Sequence, residues 1–169
     1  MKSIFIGLLF AVSTVTVSTA KSTQSAVSIK EFISSYLQMK NAFTEGNSTG
    51  AAAAGKKLEA AFKNFDKSAL TPAQKKTYED VEADAREHAE HIGKNGGNIA
   101  HQREHFVMLS KDIYDLVKTF GAGQVLYKDF DPMADNGKGA FWLSETKEIK
   151  NPYMGKAMLT SGSIKEEIK

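Results

Sequence analysis

From Ser28 to Phe120 the apolar positions recur at three- and four-residue spacing, the period of a helix buried on one face. Ser28 offers an N-cap with Glu31 three residues on, the pattern of a capping box. Ile29, Phe32, Ile33, Tyr36, Leu37 and Phe43 then line a first helix that ends near Gly46. Asn47 or Ser48 can cap a second, whose apolar side holds Ala51 to Ala54, Leu58, Ala61, Phe62 and Phe65. Its run of small Ala residues lets a neighbouring helix come close. Thr71-Pro72 restarts the pattern, because proline is tolerated in a first turn, where its missing N–H has no helical partner anyway. The third helix carries Tyr78, Val81, Ala85, Ala89 and Ile92 inward and stops at Gly93. Asn95-Gly96-Gly97 makes a tight turn, and Asn98 caps a fourth helix. Ile99, Phe106, Leu109, Ile113, Leu116, Val117 and Phe120 form its stripe, and Gly121 ends it. Four amphipathic helices with short connections predict a mainly α fold, an up-down helical bundle over residues 28–121.

After Gly123 the period is lost. Residues 124–162 hold the only Trp, two of the three Pro and three of the six Met. Val125 to Phe130 and Ala140 to Leu143 are short and β-prone, with Asp135-Asn136-Gly137 between them, so a C-terminal β-hairpin on one end of the bundle is expected. Asn151-Pro152 and Gly155 mark turns, and Ile164 to Lys169 is expected as a short helix or a tail. Tyr127, Phe130, Phe141, Trp142 and Tyr153 suit a small core joining hairpin to bundle, with a ligand-stacking platform as the other reading.

The N-terminal pattern is different in kind. Lys2 is followed by an apolar run from Ile4 to Val17 and by Ser18-Thr19-Ala20, a small-x-small site. That is the layout of a secretory signal peptide, residues 1–20, with cleavage expected after Ala20. The run is short of the ~20 residues a spanning helix needs, and no other segment is apolar enough. Residues 21–169 then form a single domain, with Lys21 to Val27 as a loose lead-in, exported and soluble. The absence of Cys excludes disulfides, thiol chemistry and a lipid-modified N-terminal Cys. A net charge of only +2 gives no nucleic-acid footprint.

Two groups of residues carry ligand chemistry. His88 and His91 close the third helix, and His101 and His105 open the fourth. Each pair is three or four apart and shares a helix face, and the Gly-rich turn brings both pairs to one end of the bundle. Neutral imidazoles grouped this way suit zinc, copper or nickel, with Glu87, Glu90 and Glu104 as nearby oxygen donors. The spacing matches no defined motif, and histidines on the flank of an apolar stripe are commonly plain surface residues. Met133, Met154 and Met158 are the second group. Thioethers prefer Cu(I), although Met is also the usual filler of irregular gaps. No enzyme constellation is present: Ser144 and Ser161 have no base near them in sequence, and Gly121-Ala122-Gly123 follows a helix and is a helix stop.

A series of short motifs runs through the second half. They are Gln102-Arg103-Glu104-His105-Phe106, Leu109-Ser110, Leu126-Tyr127, Asp131-Pro132-Met133, Trp142-Leu143-Ser144, Ile149-Lys150-Asn151-Pro152-Tyr153 and Met158-Leu159-Thr160-Ser161-Gly162. In that order they resemble the family catalogued as domain of unknown function 3347, over essentially all of residues 21–169. The resemblance implies a bacterial envelope domain, free-standing or attached to adaptor subunits of heavy-metal efflux systems, and binding of copper or a related metal. The family pattern has Cys where this chain has Asp131 and Ser161, and an aromatic residue where it has Met154; Met133 and Met158 match it. The implied soft-metal site is therefore altered here.

Together these readings lead to an exported periplasmic protein that binds or handles a heavy metal without catalysis. Copper is the first choice and zinc the second. Met133, Met158, Asp131, His101, His105, His91 and His88 are the candidate metal ligands, and an efflux or other envelope protein is the expected partner. The alternative is an envelope structural or interaction module that has lost the family's metal site.

Overall fold

The computed structural model describes residues 20–169, with side chains from Ile29 onward. The expected signal peptide, 1–20, lies outside the described residues except for Ala20. Four long helices follow one another: α1 (Ala20–Thr44), α2 (Ser48–Lys63), α3 (Pro72–Lys94) and α4 (Ile99–Phe120). Each packs on the next, and α1 also packs on α4, which closes the bundle. Among the described residues no helix is long and apolar enough to cross a membrane.

Local chemistry explains most boundaries. The Asn47 side chain accepts from Gly50 N–H at 2.8 Å, and Asn98 accepts from His101 N–H at 3.2 Å. Thr71 and Gln74 form a reciprocal capping box in front of α3, with Pro72 in its first turn. Gly121 ends α4 with φ of 78°, a conformation that favours glycine. One boundary departs from expectation. α1 begins at Ala20 and runs through Ser28, so Ser28 is not an N-cap and residues 21–27 are helical, not a loose lead-in. Nothing between Ala20 and Thr44 is a Gly or Pro that would interrupt the turn.

Side-chain size sets the closeness of α2 and α3. A Cβ on Gly55 would lie 2.8 Å from the Ala89 carbonyl and 2.9 Å from Gly93 N. From the other side, a Cβ on Gly93 would lie 3.3 Å from Lys56 N and 3.7 Å from the Ala52 carbonyl, so the two backbones nearly touch. The aromatic core falls into two parts. Phe32, Phe62, Phe65 and Tyr78 stack at one. Tyr36, Phe43, Phe106 and Tyr153 gather at the other, with Tyr36 and Phe106 rings 4.8 Å apart.

The C-terminal segment is a three-stranded antiparallel sheet in the order β2-β1-β3. β1 (Leu126–Asp131) and β2 (Ala140–Ser144) form the expected hairpin, with Phe130 opposite Phe141 and Asp129 opposite Trp142. Residues 163–168 correct the expected terminal helix or tail: they form β3 (Ser163–Ile168) on the other edge of β1. The backbone groups on that edge need partners, and β3 supplies them. Glu166 fastens the strand to α4, accepting from Tyr114 Oη and Lys118 Nζ, each at 2.7 Å.

The sheet docks through buried hydroxyls. Tyr36 Oη on α1 accepts from Leu143 N–H on β2 at 3.0 Å and meets Ser110 Oγ on α4 at 2.8 Å. Ser110 Oγ donates to the Phe106 carbonyl, and Tyr153 Oη donates to the Phe141 carbonyl at 2.6 Å while lying 3.2 Å from Ser110. Tyr36→Phe removes the shared hydroxyl and leaves Leu143 N–H unpaired in the core, so it should cost about 1–3 kcal/mol in denaturant melts. Phe106→Ala opens a cavity beneath the same junction and should cost about 3–5 kcal/mol. A loss under about 1 kcal/mol for both would show that this junction does not hold the sheet.

Candidate functional site

The α3–α4 turn brings all four histidines together, as their spacing predicts. His88 Nδ1 lies 3.0 Å from His105 Nδ1. The His91 and His105 rings stack with centroids 4.4 Å apart, and the His101 and His105 rings meet edge-on at 4.7 Å. His91, His101 and His105 each offer a ligand atom within 4.8 Å of the others. All four rings are half-buried. Carboxylates flank them: His101 Nδ1 is 3.3 Å from Glu104 Oε2, and His91 Nε2 is 3.8 Å from Glu87 Oε1.

Burial and the neighbouring imidazoles favour the neutral form of His88 and His105. His105 is pushed down to about 4, first by burial and then by His91, His88 and His101. His88 is also lowered, chiefly by burial, against the opposing pull of Glu87 and Asp84. A neutral imidazole keeps a lone pair for a metal. Three nitrogens at this separation need only small rotamer changes to close on an ion at ~2.0–2.1 Å. The donor set therefore fits copper(II) or zinc(II).

The other predicted ligands sit elsewhere. Asp131 is buried, and its carboxylate is fully engaged. One oxygen accepts from Met133 N–H at 2.9 Å; the other accepts from Asn151 Nδ2 at 2.7 Å and Ser161 Oγ at 2.9 Å. Asp131 and Ser161 thus face each other, joined by a hydrogen bond. Ser161 N–H donates in turn to the Met158 carbonyl. Asp131, Met133, Met158 and Ser161 form one locality and the histidines another. The two thioethers are exposed, Met133 at 60% and Met158 at 45%. Met133 lines a groove with Met154, Arg103 and Glu104. Arg103 lies on the opposite side of α4 from His101 and His105, while Glu104, which meets His101, also borders this groove.

Several residues of the second-half motifs are architectural. Gln102 is fully buried, accepts from Ser48 Oγ and donates to the Ser48 and Ile92 carbonyls, which ties the starts of α2 and α4 to the end of α3. Arg103 donates to the Pro152 carbonyl at 2.7 Å and the Phe43 carbonyl at 2.9 Å, clamping the C-terminal segment to the end of α1. Asn151 Oδ1 accepts from Tyr153 and Met154 N–H and holds the turn.

Local periodicity did not point to a buried charge cluster at the sheet–bundle junction. Asp129 is 0% exposed, and among the described residues no donor meets its carboxylate in good hydrogen-bond geometry, although the Trp142 indole on the neighbouring strand lies close enough to favour its charged form. Burial pushes it up to about 7, partly opposed by Lys40. Lys40 is 2% exposed and pairs with Glu145 at 2.8 Å, and Asn41 donates to the same carboxylate. Asp112 on α4 is likewise pushed up to about 7, by burial and then by Asp84 and Asp115.

The depressed His105 has a stability consequence. Its folded-state pKa lies below the unfolded value, so its neutral form stabilises the fold fully above pH ~6.5, and this contribution is lost as pH falls toward about 4. Wild type should therefore lose stability relative to His105→Gln over that window. The expected loss is roughly 1–2 kcal/mol, since solvent screening at this half-exposed site reduces the full linkage value. Parallel denaturant melts at pH 4.5 and 7.5 test this, and an unchanged difference between the two proteins would refute it.

Comparison with curated proteins and with solved structures finds no match to this chain. A family model described as "Protein of unknown function (DUF3347)" matches residues 32–125, which run from α1 to the end of the bundle and stop just before β1. With more than half of its 169 residues under that match, the chain belongs to the DUF3347 family.

Proposed function

We propose that this protein binds a heavy-metal ion without catalysis, copper(II) first and zinc(II) second, at the imidazole cluster on the α3–α4 turn. The observation that carries the reading is the convergence of His91, His101 and His105, with ligand atoms within 4.8 Å of one another. Each pair comes from consecutive turns of one helix, so the backbone fixes the spacing before any ion arrives. Copper(II) ranks above zinc(II) because nitrogen sites follow the usual affinity order of first-row divalent ions. The pattern of residues 1–20 supports export, and with it a periplasmic location and an envelope partner such as a metal-efflux protein, as parts of the same proposal.

The locality around Asp131 supports a soft-metal site less well. A carboxylate is a hard donor, and this one is already occupied by three hydrogen bonds. Metal content is the direct test. Protein equilibrated with Cu(II) or Zn(II) and then desalted should retain one ion per chain. His91→Ala with His105→Ala should weaken binding by roughly 100-fold or more, whereas Met133→Leu with Met158→Leu should leave it unchanged. Acidification should release the ion as protons compete for the imidazoles. Loss in the Met pair alone would move the site to the C-terminal segment. Binding no tighter than roughly millimolar in wild type would leave the interaction-module reading in its place.

A further inference from the structure

The hydrogen bonds around the cluster separate ligands from supports. His105 Nδ1 faces His88 Nδ1 at 3.0 Å, so one of these nitrogens carries the proton and the other accepts it. His101 Nδ1 lies 3.3 Å from Glu104 Oε2. In both rings the engaged nitrogen is Nδ1, which leaves Nε2 to face an ion. Metal-binding histidines commonly divide their nitrogens in this way, one to the metal and one to an orienting group. His88 stands outside the trio whose ligand atoms converge. The side chains of His91 and His101 are 43% and 37% exposed, so the side of the trio away from the helices opens to solvent.

Resting on the metal-binding reading above, we propose that three imidazoles hold the ion, that His88 and Glu104 are positioning residues, and that one coordination position stays open for a donor from another molecule. Three ligands from two antiparallel helices approach the ion from one side. A tetrahedral ion then keeps its fourth position toward water, as three-ligand sites do. Three neutral donors leave the full charge of the ion, and the Glu87 and Glu104 carboxylates beside it offset part of that charge. An anionic or nitrogen donor can displace the resting water without prior release of the ion. Exchange of this kind lets an ion enter from, or leave to, a second ligand-bearing molecule.

Cobalt(II) and azide test this on the whole chain. Co(II)-loaded wild type should show a change in its visible spectrum that saturates at one azide per cobalt. His88→Ala should bind azide to the same stoichiometry but hold cobalt about 10–100-fold more weakly, the usual cost of losing an orienting partner. His88→Gln, whose side-chain amide can still hydrogen-bond His105 Nδ1, should recover most of that loss. Azide binding seen only in His88→Ala would make His88 the fourth ligand and overturn the inference. So would a His88→Gln protein as weak as His88→Ala, or a loaded wild type whose spectrum ignores azide. Each of those results leaves the metal-binding reading standing. Failure of wild type to take up cobalt, zinc or copper at all overturns both.

Discussion

The hydroxyl of Tyr36 is the point on which the two halves of the molecule depend. It is fully buried, and it meets a backbone N–H of β2 and a hydroxyl of α4 at once. A sheet edge brought onto a helical bundle would otherwise strand polar backbone groups in the core, at a cost comparable to the hydrogen bonds forgone. Tyr36 and Tyr153 remove that cost at the Leu143 N–H and the Phe141 carbonyl, and Ser110 Oγ lies between the two hydroxyls. Burial also holds the phenols in their neutral, donating form: Tyr153 is raised well above the ordinary tyrosine value, and Tyr36 is raised in the same direction. With the sheet seated, Arg103 reaches the loop after β2, and Asn151 and Ser161 of that loop meet Asp131.

That sequence of constraints explains why two potential ligand sites differ so much. The locality around Asp131 lies inside the docked segment, and its polar atoms hold the chain path. Three donors converge on one carboxylate there, an arrangement that commits both of its oxygens to holding the chain path. The histidine cluster lies on the α3–α4 seam. Its rings meet one another and two surface carboxylates, and none of the four belongs to the hydrophobic core. A half-buried cluster outside the core is open to a ligand in a way that the Asp131 clasp, with its three hydrogen bonds, is not.

The bundle was legible in the sequence because its signals are local. Asn47, Thr71, Asn98 and Gly121 act within one turn of their own positions, and the helical period shows which faces are buried. The start of α1 was misjudged because Ser28 and Glu31 mimic a cap although nothing before them breaks the helix. β3 was missed because what makes it a strand lies far away, in the open edge of β1 and in Tyr114 and Lys118 on α4. The site divides along the same line. The four histidines could be grouped from their spacing and one tight turn. The facing of Asp131 and Ser161 has no local signal, because 30 positions of chain separate them. Asp129 and Lys40 gave no local sign, since a charged residue in a short strand or at a helix edge looks solvated until the elements around it are packed.

The buried charges and the imidazoles also oppose each other in their response to pH. Asp129 and Asp112 are both pushed up to about 7, so their folded states hold protons that the unfolded chain gives up, and they destabilise the fold as pH rises through about 4 to 7. His105, pushed down to about 4, acts in the opposite sense over much of the same range. Acid therefore relieves the carboxylates while it burdens the cluster. The offset keeps total stability flatter across mildly acidic pH than either group alone would allow. It also means that His105 stays unprotonated, with its lone pair free, where an ordinary imidazole of pKa ~6.5 would already be charged. The burial and crowding that cost the histidine cluster stability in acid are also what keep the His105 lone pair free there.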